Sequence, residues 1–184
     1  MRLPPTGRTF ATIALLCGAA ASPGLPAQAS RPVEPPPIEF YGFRPGASIG
    51  ELTTRVAALG GGLTCRRSKK DPRVSECRAS LQDPATRRPI DLWAAAIDSM
   101  TGVMTLSGGV TAQQLDTWRS SLERAYGAVG AEVQGSQWMM QWVRRGRMIR
   151  LTWQIKGVEK VASVSLVDGR VLDSWGRQRA DSSP

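Results

Sequence analysis

At 184 residues, with 24 Lys/Arg against 15 Asp/Glu and a formal net charge of +9, the chain is basic and long enough for one domain with a core of its own. It contains no histidine, which removes the commonest general base and the commonest metal ligand. Three cysteines and six tryptophans are its most distinctive side chains.

The first 29 residues read as a secretory signal peptide. Arg2 and Arg8 form a positive n-region, Phe10 to Ala21 an apolar h-region, and Ala27-Gln28-Ala29 an A-x-A cleavage motif before Ser30. The apolar run is short for a bilayer span. Cys17 is preceded by Leu16, where a lipobox wants a small residue. An uncleaved anchor and a lipid anchor through Cys17 are the alternatives to cleavage. The expected location is secreted or periplasmic, with no transmembrane span after the leader is removed. In an oxidising compartment the two remaining cysteines, Cys65 and Cys77, are expected to form a disulfide. Closing that loop stabilises a fold by about 3 kcal/mol in the chain-entropy treatment.

Residues 30–37 (SRPVEPPP) form a proline-rich spacer. A single domain is expected over 38–175, in halves of about 38–109 and 110–175, with a polar, disordered tail over 176–184. The first half opens on Ser48-Ile49-Gly50-Glu51, an S-x-x-E capping box, with Leu52, Val56 and Leu59 at helical spacing and Gly60-Gly61-Gly62 as a stop. Leu63–Arg67 and Val74–Leu81 then read as a hairpin, and pairing Cys65 opposite Cys77 also sets Arg67 opposite Ser75. Pro89–Ile97 and Val103–Ser107 read as a second hairpin.

The second half opens on Thr111-Ala112-Gln113-Gln114, the T-x-x-Q version of the capping box, with Leu115, Trp118, Leu122 and Ala125 forming one apolar stripe and Gly127 near the end. Strict alternation follows. A turn at Arg145-Gly146 sets Trp142 opposite Ile149, Met140 opposite Leu151 and Trp138 opposite Trp153. Lys156-Gly157 turns the chain so that Val158, Ala162, Val164 and Leu166 join the same side. Asp168-Gly169 reads as a further hairpin leading to a strand through Val171 and Trp175. The expected fold is α+β, a tandem repeat of one helix followed by about four antiparallel strands, with both helices on one face of the sheet and the other face open.

The phrase Gly42-Phe43-Arg44-Pro45-Gly46-Ala47-Ser48 leading into a capped helix, the disulfide hairpin, and the second helix ending at Tyr126-Gly127 before more strands resemble beta-lactamase-inhibitor-protein-like domains. The pattern is also similar to SmpA/OmlA-type outer-membrane assembly lipoproteins. It covers about residues 38–175 and implies the tandem fold and, by analogy, a binding or assembly role. The chain departs from the inhibitor in having one mature cysteine pair, and from the assembly lipoproteins in its lipobox.

Two surfaces are candidate sites. Arg66, Arg67, Lys69, Lys70 and Arg73, with Arg78 beyond, crowd one hairpin and suit an anionic partner; Arg144, Arg145, Arg147 and Arg150 cluster at another turn. Met139, Gln141, Arg150 and Thr152 fall on the open sheet face and are expected to be exposed together as a binding surface. Asp91 and Asp98 are the carboxylates placed to approach one another across a hairpin end, without histidine or a nucleophile beside them. No phosphate loop, metal site or cofactor site is expected. These features point to an exported, non-enzymatic binding domain recognising a protein or an anionic envelope component, and export argues against nucleic acid. An envelope-assembly or structural accessory protein is the alternative, and a hydrolase with an unrecognised carboxylate site a third reading.

Overall fold

The computed structural model describes residues 36–157 and 159–181. The expected signal peptide 1–29, Cys17, most of the 30–37 spacer, Val158 and the last three residues lie outside them. Along the described chain come α1 (Ile49–Ala58), β1 (Thr64–Arg67), β2 (Val74–Gln82), β3 (Pro89–Ile97), β4 (Met100–Val110), α2 (Ala112–Tyr126), β5 (Glu132–Gln134), β6 (Gln137–Arg144), β7 (Arg147–Lys156), β8 (Glu159–Asp168) and α3 (Gly169–Asp181). The fold is α+β. Its eight strands make one sheet in the order β1-β2-β3-β4-β8-β7-β6-β5, with every neighbouring pair antiparallel. The two halves meet where β4 pairs with β8.

Alternation makes one face of this sheet apolar. Leu92 and Ala94 of β3 lie beside Leu106 and Met104 of β4, which lie beside Val164 and Leu166 of β8. Leu151 and Ile149 of β7, then Met140 and Trp142 of β6, continue the rows. All of these side chains are buried. They share a core with Leu52 and Val56 of α1, with Leu115, Trp118, Leu122 and Tyr126 of α2, and with Ile38, Phe40 and Phe43 from the segment before α1.

Both helices start at the predicted N-cap, but only α1 completes its predicted box. Ser48 and Glu51 form the complete reciprocal box at α1, and Thr111 accepts the Gln114 amide at α2. Gly127, with φ near +95°, closes α2. The segment before α1 turns back on itself, with Phe40 and Phe43 exchanging backbone hydrogen bonds of 3.0 and 2.9 Å. Tyr41 and Gly42 take positive φ in that turn. A β-carbon on Gly42 would strike the Arg55 guanidinium, whose Nε donates to the Tyr41 carbonyl. Glycine is therefore required where the sequence has it.

The disulfide joins Cys65 and Cys77 across β1 and β2. The predicted register of β6 and β7 holds residue for residue: Trp142 faces Ile149, Met140 faces Leu151 and Trp138 faces Trp153.

The end of the chain differs from its sequence-based expectation. Asp168-Gly169 does not open a hairpin, and 176–181 are not a disordered tail; both belong to the boundary and body of α3. The reason is topological. β8 already has β4 on one side and β7 on the other, so it has no free edge to accept a strand through Val171 and Trp175. The Asp168 carboxylate instead accepts the Arg170 amide at 3.0 Å and starts a helix. Val171, Leu172 and Trp175, also at helical spacing, are half-buried. A β-carbon on Gly102 would meet Leu172, Val171 and Ile97. Ile97 has the parity opposite to buried Ala94 and Ala96, so α3 lies on the other face of the sheet from the core. The helices are thus not confined to one face. β5, a three-residue edge strand, also went unpredicted.

Candidate functional site

The face opposite the core is a polar surface built from strand parity. One row runs Arg78, Trp93, Thr105, Ser165, Arg150, Gln141 across β2, β3, β4, β8, β7 and β6. The next runs Ser80, Asp91, Ser107, Ser163, Thr152, Met139. Short side chains on β4 and β8 make the middle low, and longer ones rise to either side. A shallow cleft lined by Thr64, Arg78, Asp91, Trp93 and Ser107 opens at the β1 side.

Neighbouring polar groups in these rows hold one another. Gln141 Oε1 accepts from Arg150 Nε at 2.9 Å and from Nη2 at 2.7 Å. The hydroxyls of Thr152 and Ser163 lie 2.7 Å apart, and those of Thr105 and Ser165 3.0 Å. These bonds fix rotamers on strands that are already rigid, so a partner meets side chains that lose little freedom on contact.

The four predicted sheet-face residues are brought together as two directly opposed pairs, Met139 with Thr152 and Gln141 with Arg150. They are half-buried rather than fully exposed, because wide cross-strand neighbours shade them. Trp93, Arg78 and Thr105 extend the same surface. Arg78 was read only as part of the basic hairpin, and Trp93 escaped because β3 reads Ile-Asp-Leu-Trp-Ala-Ala-Ala-Ile, where alanines blur the alternation.

The predicted basic hairpin is also in place. Arg66, Arg67, Lys69 and Lys70 are exposed on β1 and the following loop. Arg73 is held there: its Nη1 donates to Gln178 at 2.5 Å, and its Nε lies 3.5 Å from Asp71. Asp71 also accepts from the Trp175 indole at 2.9 Å, so the loop is tied to α3. The indole and Arg73 hold the Asp71 carboxyl below the usual carboxylate range.

The two carboxylates expected to approach one another do not. Asp91 and Asp98 stand seven residues apart, the first within β3 and the second just past its end. Extended chain separates them by about 23 Å, because the hairpin turns at Asp98 and Ser99 rather than between the two aspartates.

Two buried aspartates carry the stronger electrostatics, and neither was predicted. Asp83, in the β2–β3 loop, accepts from Tyr41 Oη at 2.7 Å and Gln114 Nε2 at 2.8 Å on Oδ2. Its Oδ1 accepts from the Ala85 and Thr86 amides. Burial alone would raise its pKa, but the bonds from Tyr41, Thr86 and Gln114 outweigh burial and hold it below its ordinary value. Burial and the Asp83 carboxylate push the Tyr41 hydroxyl well up. Tyr41 Oη in turn accepts from the Trp118 indole at 2.9 Å. The network locks the N-terminal turn, α2 and the β2–β3 loop together. Gln114 does not complete the capping box that its T-x-x-Q pattern predicts: its Nε2 is drawn to Asp83, and its buried Oε1 accepts no hydrogen bond.

Asp168 sits where β8 ends. Arg147 Nε and Arg170 Nη2 donate to its Oδ2 at 2.8 and 3.0 Å. Burial works against ionisation here too, but Arg170 and Arg147 prevail and hold the carboxyl at about 2. Gly46 abuts the same carboxylate, leaving no room for a β-carbon.

Among the described residues, no cluster of three or more His, Cys, Asp and Glu is arranged for a metal ion, and no helix is long and apolar enough to cross a membrane. No family model, curated protein or solved structure matches the chain.

Proposed function

We propose that this chain is an exported, non-enzymatic binding domain that recognises a protein or an anionic envelope component through its open sheet face. The observation that carries this reading is the six-strand row from Arg78 to Gln141. It is broad, polar and pre-ordered by its own hydrogen bonds, as a wet recognition surface requires. The disulfide fits an oxidising compartment. The chain order of a helix and four strands, twice over, supports the tandem-repeat reading and with it the likeness to beta-lactamase-inhibitor-protein-like domains. The assembly-accessory alternative draws on the same likeness.

The test is capture from the envelope fraction of the source cells by the exported protein, set against a Met139→Glu/Arg150→Glu variant. A partner retained by the parent and lost by the folded variant supports the reading. Equal capture by both removes the sheet face from it. Intact mass checks the export step: a start at Ser30 and a mass two hydrogens below the dithiol are expected, and a retained leader overturns processing.

A further inference from the structure

The sheet brings together basic segments that lie far apart in sequence. The β1–β2 loop, the β3–β4 turn, the β6–β7 turn and the start of α3 all occur at one end of the strands. The pairings Arg67 with Ser75, Ile97 with Met100, and Arg147 with Asp168 place them there. Five strand spacings, about 24 Å, separate the two basic hairpins. α3 bridges that gap. It begins against the β6–β7 turn, where the Gly169 amide donates to the Gly146 carbonyl at 2.8 Å. It reaches the β1–β2 loop through Trp175 to Asp71 and Gln178 to Arg73.

This end carries a basic surplus. Arg66, Arg67, Lys69, Lys70, Arg73, Arg145, Arg147, Arg170 and Arg177 stand against Asp71, Glu76, Asp98, Asp168 and Asp173, and the Arg44–Glu51 pair beside them cancels. Elsewhere between residues 36 and 178, ten basic side chains face seven acidic ones. Arg144 is not part of the strip, because it turns away to the Tyr126 carbonyl at 2.8 Å. Asp71 is engaged by Arg73, and Asp168 by Arg147 and Arg170, so three of the nine cations are already paired.

We propose that this basic rim is a docking surface for the phosphate headgroups of an anionic lipid bilayer. The proposal rests on the envelope-binding reading above and adds a second surface with its own partner. Three observations favour a bilayer. The cations are spread along a strip rather than cupped around a pocket, which suits a planar array of charges. Seven of the nine are arginines, whose guanidinium matches phosphate oxygens in pairs. Met100, 41% exposed at the β3–β4 turn between the two tips, offers an apolar group at headgroup depth. A nucleic-acid strand would want a free stacking aromatic, but Trp175 at this end is half-buried and donates to Asp71.

The experiment measures partitioning of the full chain onto phosphatidylglycerol/phosphatidylcholine vesicles and onto pure phosphatidylcholine vesicles. The variants are Lys69→Gln/Lys70→Gln on the β1–β2 loop, Arg145→Gln/Arg177→Gln on the β6–β7 turn and the far end of α3, and Arg87→Gln/Lys156→Gln at the opposite end of the sheet. Each rim pair is expected to weaken anionic-vesicle binding about 25-fold, near fivefold per charge, and the opposite-end pair to leave it within about twofold. Equal losses for all three pairs would show a mere net-charge effect and overturn the rim. Binding to neutral vesicles as strong as to anionic ones, or tighter binding to duplex DNA than to vesicles, overturns it too. Capture of a protein partner is read separately with the Met139→Glu/Arg150→Glu variant. Failure on vesicles with capture by the parent intact removes only the rim; equal capture by parent and variant with vesicle binding intact removes only the sheet-face reading.

Discussion

The two faces of the sheet use the same eight strands for opposite ends. On the covered face, Leu92, Leu106, Val164, Leu151 and Met140 interlock beneath α1 and α2 and are essentially closed to water. On the open face, the residues one step along each strand, from Thr105 to Gln141, hydrogen-bond sideways and remain half accessible. A single residue of register separates the two. Burial is therefore concentrated on one side, and the proposed recognition surface lies on the other, so substitutions on the two faces should separate cleanly.

The sharpest test of that division is Ile149→Ala. Its side chain is fully enclosed, and the change should cost about 3–4 kcal/mol in urea unfolding; a loss below about 1 kcal/mol would mean that the covered face is not closed. Cys65→Ser removes the staple of the outermost strand and should cost about 3 kcal/mol. An unchanged thermal midpoint would show that β1 is held by its hydrogen bonds alone.

Asp168→Asn comes next, at about 2 kcal/mol, because it weakens charged hydrogen bonds at a buried position. Its pH signature is specific. The folded carboxyl is held at about 2, below the ordinary value near 3.9 that it regains on unfolding. The stabilisation from Asp168 is thus complete above about pH 4 and lost as the pH falls towards 2. The Asn variant should show a flatter stability profile in that window, and a parallel offset would count against the mechanism. The smallest effect on folding belongs to Arg150→Gln on the open face, under about 0.5 kcal/mol, while partner capture falls. A loss of stability as large as that of Asp168→Asn would make the face structural instead.

Much of this was legible in the chain. β6, β7 and β8 alternate strictly, so their register followed from turn position and period alone. α1 announced itself through Ser48 and Glu51, and the cross-strand pairing of Cys65 with Cys77 came with the hairpin. What was hidden depended on distant partners. Asp168-Gly169 has the local chemistry of a hairpin turn, and only the placement of β8 between β4 and β7 makes it a helix start. Asp83 is an ordinary loop aspartate until Tyr41 and Gln114, 42 positions before it and 31 after, close around it. Trp93 was obscured by the alanines that follow it. On the candidate site, Met139, Gln141, Arg150 and Thr152 were legible from parity, whereas the junction of two basic hairpins through α3 was not, since it needs the order of the strands.

The last strand of the described chain, β8, takes a place in the middle of the sheet. Until Glu159–Asp168 is present, the segment ending at Val110 and the hairpin built on Arg147–Lys156 each have a bare flank that wants a backbone partner. A chain stopped after Lys156 would hold two unfinished sheets, each able to recruit the wrong neighbour. Completion of the sheet accordingly waits for β8, slow in the way that distant strand pairings are slow. If the chain is exported as proposed, that delay keeps the polypeptide open until passage is complete.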